Sequence, residues 1–257
     1  MIDALHISES GLKANQQWLE HVSNNLANLH TPGYKKTTVN FVDMVRVENS
    51  PFPAANSAGQ TSTGLGASLS NPRVELESGS VKSTGRSLDI AIRGNGLLEV
   101  ILPDGTMGYT RSGSLQVNSE GYLTTQNGFL LSSQIEIPHD LTELIIHSNG
   151  VVEGVFGGDE ANLQLGEILL AQPVDSGSLT PIGNSTFTLP EDYSGLMLSA
   201  PGQEGAGEIV QGFLEMSNVS LIDEMSNIVL AQRAYQLNAR MIQTADQLLE
   251  TINNLRR

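Results

Sequence analysis

Apolar residues follow one period at the two ends of this chain and another in its middle. Near the N-terminus, Met1, Leu5, Ser8, Leu12, Asn15, Leu19, Val22, Leu26 and Leu29 are spaced by alternating steps of four and three, and only Ser8 and Asn15 among them are polar. The spacing predicts a helix with a coiled-coil-like seam, carried chiefly by Leu5, Leu12, Leu19, Val22, Leu26 and Leu29. Thr31-Pro32-Gly33 should end it, because proline drives its predecessor out of the helical region and glycine permits a reversal.

The C-terminal end repeats the pattern. Leu221, Met225, Ile228, Ala231, Tyr235, Asn238, Ile242, Ala245, Leu249 and Ile252 again step by three or four. Ser220 with Asp223 makes a capping-box pattern; Asp223 and Glu224 put acids in the first turn, and Arg256 and Arg257 put cations in the last. A helix from Ser220 to Leu255 would run roughly 50 Å, too long for a small globular domain to cover.

The middle changes to period two. Leu88, Ile90 and Ile92 alternate with Asp89, Ala91 and Arg93. Gly94-Asn95-Gly96, Pro103-Asp104-Gly105, Glu120-Gly121 and Asn127-Gly128 then punctuate short apolar or alternating runs, which predicts a hairpin-rich antiparallel sheet. The pattern continues weakly through Val151 to Phe156 and Leu165 to Ala171. Residues 47–72, with Pro51, Pro53, Gly59, Gly64 and Gly66 among Ser, Thr, Ala and Asn, show neither period; they read as a linker or a segment ordered by its neighbours. The expected organisation is α+β: helix and turn at 1–40, an extended linker or hairpin segment at 41–79, an all-β domain at 80–211, and a C-terminal helix at 212–257.

Composition narrows the function classes. The formal net charge is −15, and no Lys or Arg occurs from 112 to 232 against 16 acids, which argues against a sequence-independent nucleic-acid binder. There is no cysteine, which removes disulfides, thiolate metal sites and thiol nucleophiles. The first residues carry acids and no basic region ahead of an apolar run, so no cleaved secretory signal is expected, and no apolar stretch is long enough for a transmembrane helix.

A search for chemistry returns no catalytic, cofactor or metal residues. His6, His21, His30, His139 and His147 lack paired-ligand spacing. Gly94-Asn95-Gly96 is a turn without the third glycine and following helix of a dinucleotide site, no GxSxG elbow is present, and Asp159-Glu160 reads as a hydrated loop pair. The energetic weight therefore falls on the terminal seams. Each fully buried apolar side chain is worth about 1.5–3 kcal/mol, whereas an uncovered seam leaves the ordering cost of its helix unmet. Either the ends close on each other as a helical hairpin, or they pack against further copies and couple folding to polymerisation.

Asn24-Asn25-Leu26-Ala27-Asn28-Leu29-His30-Thr31-Pro32-Gly33-Tyr34-Lys35-Lys36 resembles the N-terminal signature of the bacterial flagellar rod and hook proteins. Ser217-Asn218-Val219, Ala231-Gln232-Arg233-Ala234-Tyr235 and Ile242-Gln243-Thr244-Ala245-Asp246 are similar to the C-terminal helix of that family. Thr63-Gly64-Leu65-Gly66, Leu88 to Ile92 and Tyr109 to Ser114 fit its distal-rod branch, although Leu97-Leu98 stand where aromatics are common. The resemblance implies a structural subunit with no enzyme activity and no cofactor. Paired helices would form an inner domain of a helical homopolymer, and the β domain its outer layer. It implies contacts with proximal rod proteins, hook protein, the envelope ring that acts as a bushing, and the flagellar export apparatus. It further implies residence in the periplasm-spanning rod after export without a cleaved signal, and torque transmission to the hook. A proximal rod or hook paralogue, a secreted β-sheet adhesin or carbohydrate-binding module, and a carboxylate-dependent hydrolase are the competing readings.

Overall fold

The computed structural model describes residues 2–48, 61–156, 162–190 and 192–255. Pro51, Pro53, Gly59, Asp159-Glu160, Arg256 and Arg257 lie outside the described residues. The chain forms two compact units, one from Met1–Leu26, Thr38–Pro72 and Ser220–Arg257, the other from Ala27–Thr37 and Arg73–Val219.

The first unit holds helix α1 (Ile2–Ala27), a β-hairpin and helix α2 (Leu221–Leu255). At the start of α2 the Asp223 amide donates to Ser220 Oγ at 3.5 Å, and Asp223 and Glu224 occupy the first turn, where the helix dipole favours anions. The two helices approach closely at one point: a Cβ on Gly11 of α1 would stand 2.8 Å from the Asn238 side-chain nitrogen of α2.

The hairpin pairs Phe41–Glu48 with Thr61–Leu69, from Phe41 opposite Leu69 to Glu48 opposite Thr61. A bulge at Met44/Val45 leaves Leu65 as the extra residue between Gly64 and Gly66. Gly66 takes φ +107°, and a Cβ there would fall 1.9 Å from Ser10 Oγ on α1. The Ala67 amide donates to the same Ser10 Oγ at 3.4 Å, and Trp18 meets Phe41 edge to face at 5.6 Å. Ladder bonds, a glycine contact and one aromatic pair thus hold this segment, so much of the stretch that shows neither period in the sequence is paired strand.

The second unit is almost wholly β. Its largest sheet centres on Leu97–Ile101, which pairs antiparallel with Met107–Thr110 and Leu130–Leu131 and also with Leu170–Pro173. Thr186–Thr188 and Thr180–Gly183 extend the Met107–Thr110 side; Leu123–Thr125 and Leu115–Val117 extend the other. A three-stranded sheet of Leu141–Ile146, Val151–Phe156 and Leu163–Glu167 and two ladders, Ile90–Arg93 with Glu208–Gln211 and Val81–Ser83 with Phe213–Glu215, belong to the same unit.

Because successive strand residues point to opposite faces, one strand can feed two cores. Leu98 and Leu170 join a cluster with Ile90, Leu123, Val152 and Ile209, whereas their neighbours Leu97 and Ala171 join another with Val74, Tyr109 and Phe187. The paired apolar residues at 97–98 are both buried for this reason. Among the described residues no helix is long and apolar enough to cross a membrane.

Candidate functional site

No described residues cluster as metal ligands, and what the sequence offers instead is two kinds of surface: a buried ionic staple in the second unit and apolar faces on the first. The staple begins at the turn after α1. The Thr31 amide donates to the Asn28 carbonyl, and Tyr34 N–H donates to the Thr31 carbonyl. Gly33 takes φ +70°, the left-handed conformation that glycine adopts without penalty, and its N–H donates to the Glu215 carbonyl at 2.8 Å. A Cβ at residue 33 would lie 2.4 Å from the Ser112 nitrogen and 2.5 Å from its Cα, so the backbones touch through glycine alone.

This turn delivers Lys35 into the interior with its side chain 1% exposed. Lys35 Nζ donates to Glu215 Oε1 at 2.7 Å and to the Glu77 carbonyl at 2.6 Å. Glu215 Oε1 also accepts from Gly79 N–H at 2.8 Å, and Oε2 accepts from Arg111 Nε. The Arg111 guanidinium continues into the backbone, donating to the carbonyls of Ile92 at 2.7 Å and Gly94 at 2.6 Å, and to that of Gly96. Beside it, Asn218 Oδ1 accepts from Lys36 N–H at 2.7 Å while its amide nitrogen donates to the Glu75 and Glu77 carbonyls. Burial alone would raise the Glu215 carboxyl, but the Arg111 charge and the Lys35 hydrogen bond outweigh it and hold the group below the usual carboxylate range.

Three separate stretches of chain, at Lys35, Gly79 and Arg111, therefore converge on the Glu215 carboxylate. The segment after α1 and the segment before α2 are joined there although Lys35 and Glu215 stand 180 positions apart. The arrangement contains no nucleophile; its capability is mechanical. Removing one ion from such a set typically costs about 3–5 kcal/mol, because the others stay buried and uncompensated.

The seam positions distribute unevenly in the first unit. On α1, Val22 is buried and Leu5, Leu12, Leu19 and Leu26 are half-buried; Leu29 follows the helix end, also half-buried. On α2, Ala231 is buried and Ile228, Ile242 and Ala245 are half-buried, while Leu221, Met225, Tyr235, Leu249 and Ile252 are exposed. Of the N-terminal motif, Asn25 and Gly33 are buried, Leu26, Asn28, Thr31 and Tyr34 half-buried, and Asn24 and Ala27 exposed.

Sequence reasoning missed two features. A second apolar stripe on α2, Leu230, Leu237, Met241 and Leu248, is 57%, 61%, 58% and 52% exposed and lies roughly a third of a turn around the helix from the first. Its steps of seven and four were there to be read, but a search for one seam stops at one face. The staple was the other omission. An acid among Phe213, Leu214 and Met216, and an arginine that precedes a long stretch free of cations, were its available signals.

Comparison with known proteins places these features in a lineage. Residues 5–35 match the family model "Flagella basal body rod protein", residues 91–154 match "Flagellar hook protein FlgE/F/G D1 domain", and residues 210–255 match "Flagellar basal body rod FlgEFG protein C-terminal". The chain is 34% identical over 261 residues to flagellar basal-body rod protein FlgG of Buchnera aphidicola subsp. Baizongia pistaciae, covering 99% of this chain and 100% of that one. It is 33% identical over 261 residues to FlgG of Caulobacter vibrioides, again covering 99% and 100%. FlgG of Bacillus subtilis is 34% identical over 268 residues, with both chains fully covered. End-to-end similarity at this level, with models matched at both helices and in the β body, shows that the chain belongs to the flagellar basal-body rod protein family, whose members are structural proteins and not enzymes.

Proposed function

We propose that the chain is a structural subunit of the distal part of the rod and that it polymerises with further copies of itself through α1, the hairpin and α2. The observation that carries this reading is the set of large apolar side chains exposed along α2 on more than one side of the helix. A helix apolar on several sides is one that is buried on several sides, and exposed apolar stretches of this extent mark interaction surfaces. Phe41, Val42, Met44 and Val45 of the hairpin add to them. Seams completed by neighbouring copies would pair coiled-coil fashion into an inner tube with the β unit as its outer layer. Non-closing contacts between identical subunits generate a helical tube.

On this reading the subunit leaves the cytoplasm through the flagellar export apparatus without a cleaved signal, spans the periplasm in the assembled rod, meets proximal rod and hook proteins at its ends, and turns inside the envelope ring. Its acidic β surface repels like surfaces and stays hydrated. The adhesin alternative is not favoured, since similarity to rod proteins runs the full length of the chain.

The test is assembly of purified chain, followed by sedimentation and electron microscopy. Leu237→Asp changes a residue that is 61% exposed in the single chain, so the fold survives and polymerisation fails. Leu12→Asp and Ile242→Asp, which put a charge into the other seam, have the same effect. Tubes from all three variants at the wild-type concentration would remove the helical seams from the proposal.

A further inference from the structure

The staple borders a cavity of about 260 Å³, which lies wholly within the second unit. Lys35, Asn95, Arg111 and Gln172 supply polar groups to its lining, and Leu97 and Pro173 supply apolar walls. The volume falls below the roughly 300–1,000 Å³ of ordinary small-molecule sites, so it suits one small group better than a cofactor.

Three side chains at this cavity have more N–H donors than acceptors. A lysine ammonium has three N–H donors and a guanidinium five. Lys35 Nζ has two acceptors, Glu215 Oε1 and the Glu77 carbonyl, which leaves one donor over. Arg111 has four, from Glu215, Gly96, Ile92 and Gly94, which again leaves one over. The Gln172 side-chain nitrogen is buried and has no acceptor. Charge points the same way. Lys35 and Arg111 bring two cationic groups against the single carboxylate of Glu215, with burial pushing the Lys35 ammonium down and its hydrogen bond to Glu215 opposing that, and all three side chains are 2% exposed or less. The Glu77 carboxylate acts on Lys35 too, but its residue is exposed and water screens it. An interior with surplus donors and surplus positive charge next to an open volume is complementary to an anion with acceptor oxygens.

We infer that this cavity is a receiving site for a carboxylate. Two sources carry that chemistry: a free small carboxylate, and an acidic side chain presented by another polypeptide, including a second copy of this acidic chain. The inference concerns the single folded subunit and stands independently of polymerisation.

The experiment is a titration of the full-length chain, unassembled and labelled with nitrogen-15, that follows the Gln172 side-chain amide and the Arg111 Nε–H signals. Sodium succinate is the probe for the free source. A capped Ala-Glu-Ala tripeptide is the probe for the side-chain source, with capped Ala-Gln-Ala as its neutral counterpart. Saturable shifts at millimolar succinate, absent with sodium chloride at equal ionic strength, are expected. Gln172→Leu weakens the response several-fold, and Gln172→Glu, which adds a negative charge to the lining, abolishes it. Response to succinate alone assigns the site to free carboxylates; response to the Glu peptide as well, without response to the Gln peptide, extends it to acidic side chains. Both results support a carboxylate site. Absence of any saturable shift with either anion, or shifts that persist unchanged in Gln172→Leu and Gln172→Glu, would overturn it.

Discussion

Two glycines with the same positive φ separate strain from collision. Gly33 has φ +70° and Gly85 φ +69°, so an L-residue at either meets the same left-handed penalty, about 1–2 kcal/mol. Their surroundings differ. A Cβ at Gly85 meets nothing within 4 Å, whereas one at Gly33 falls 2.4 Å from Ser112 N, 2.5 Å from Ser112 Cα and 2.7 Å from the Arg111 carbonyl carbon. Every one of these is a backbone atom and cannot rotate away. Relieving the overlap requires the 31–34 turn and the 111–112 strand end to part, which disturbs the Gly33 N–H bond to Glu215 and the guanidinium of Arg111 alike. Forced overpacking of this kind costs about 1–3 kcal/mol. Gly85→Ala should therefore destabilise by about 1–2 kcal/mol and Gly33→Ala by about 2–5 kcal/mol.

Asparagine sharpens the comparison, since it tolerates positive φ but still carries a Cβ. Gly85→Asn should recover most of the loss, while Gly33→Asn should recover only the positive-φ part and keep the overlap cost of about 1–3 kcal/mol. The assay is urea unfolding read by the circular dichroism of the β unit, because the only tryptophan, Trp18, belongs to the helical unit. Equal costs for alanine at the two sites, or rescue by asparagine as complete at residue 33 as at residue 85, would refute the claim that backbone contact with Ser112 fixes this turn.

Further outcomes follow from the same geometry. Glu215→Gln should cost about 3–5 kcal/mol and flatten the acid limb of stability. Because the folded-state value of Glu215 is lowered, its contribution is complete above the unfolded value near pH 4.3 and is lost as pH falls through the lowered one. Denaturant midpoints measured across the acid range check this, and identical acid limbs for the two proteins would contradict it. Gly66→Val should push the hairpin off α1, since its Cβ meets Ser10, and should alter Trp18 fluorescence by disturbing the Phe41 contact while leaving the β-unit spectrum unchanged; unchanged fluorescence counts against hairpin docking.

The helices were legible because side-chain period survives whatever covers them. The α2 pattern gave Ser220–Leu255 and the structure has Leu221–Leu255. The hairpin was not legible in the same terms: its glycines, serines and threonines pair through the backbone, which leaves no trace in apolar alternation. Nor could sequence decide that Lys35 is buried and not Lys36, since the choice depends on a turn whose left-handed glycine sets the direction of the next two side chains. Arg111 lies just past the end of the Met107–Thr110 strand, and Glu215 stands on a strand inside 212–257, a range the sequence assigns to the C-terminal helix; their pairing spans 104 positions and no local rule reports it. What is lost from sequence in each case is a long-range meeting of polar groups, because local patterns encode burial and not the identity of the partner.

That the junction is ionic, where an apolar plug would have served, has a consequence that can be measured. Replacing a buried ion set with apolar residues of similar volume is often neutral or stabilising, so bulk stability alone gives no reason for Lys35, Arg111 and Glu215. Direction does: Glu215 addresses two different cations with its two oxygens, and Arg111 addresses three carbonyls, so the segments at 33–36, 77–79, 92–96 and 215–218 have one register in which all bonds close. An apolar plug would accept several. The triple variant Lys35→Met, Arg111→Leu, Glu215→Met should then keep its unfolding free energy within about 2 kcal/mol of the parent. Hydrogen exchange should nonetheless quicken at Gly33 and Lys36, whose amides bond to the Glu215 carbonyl and the Asn218 side chain and lose no partner directly. Unaltered exchange at both amides would mean that the ions contribute no register to the joint between the two ends of the chain.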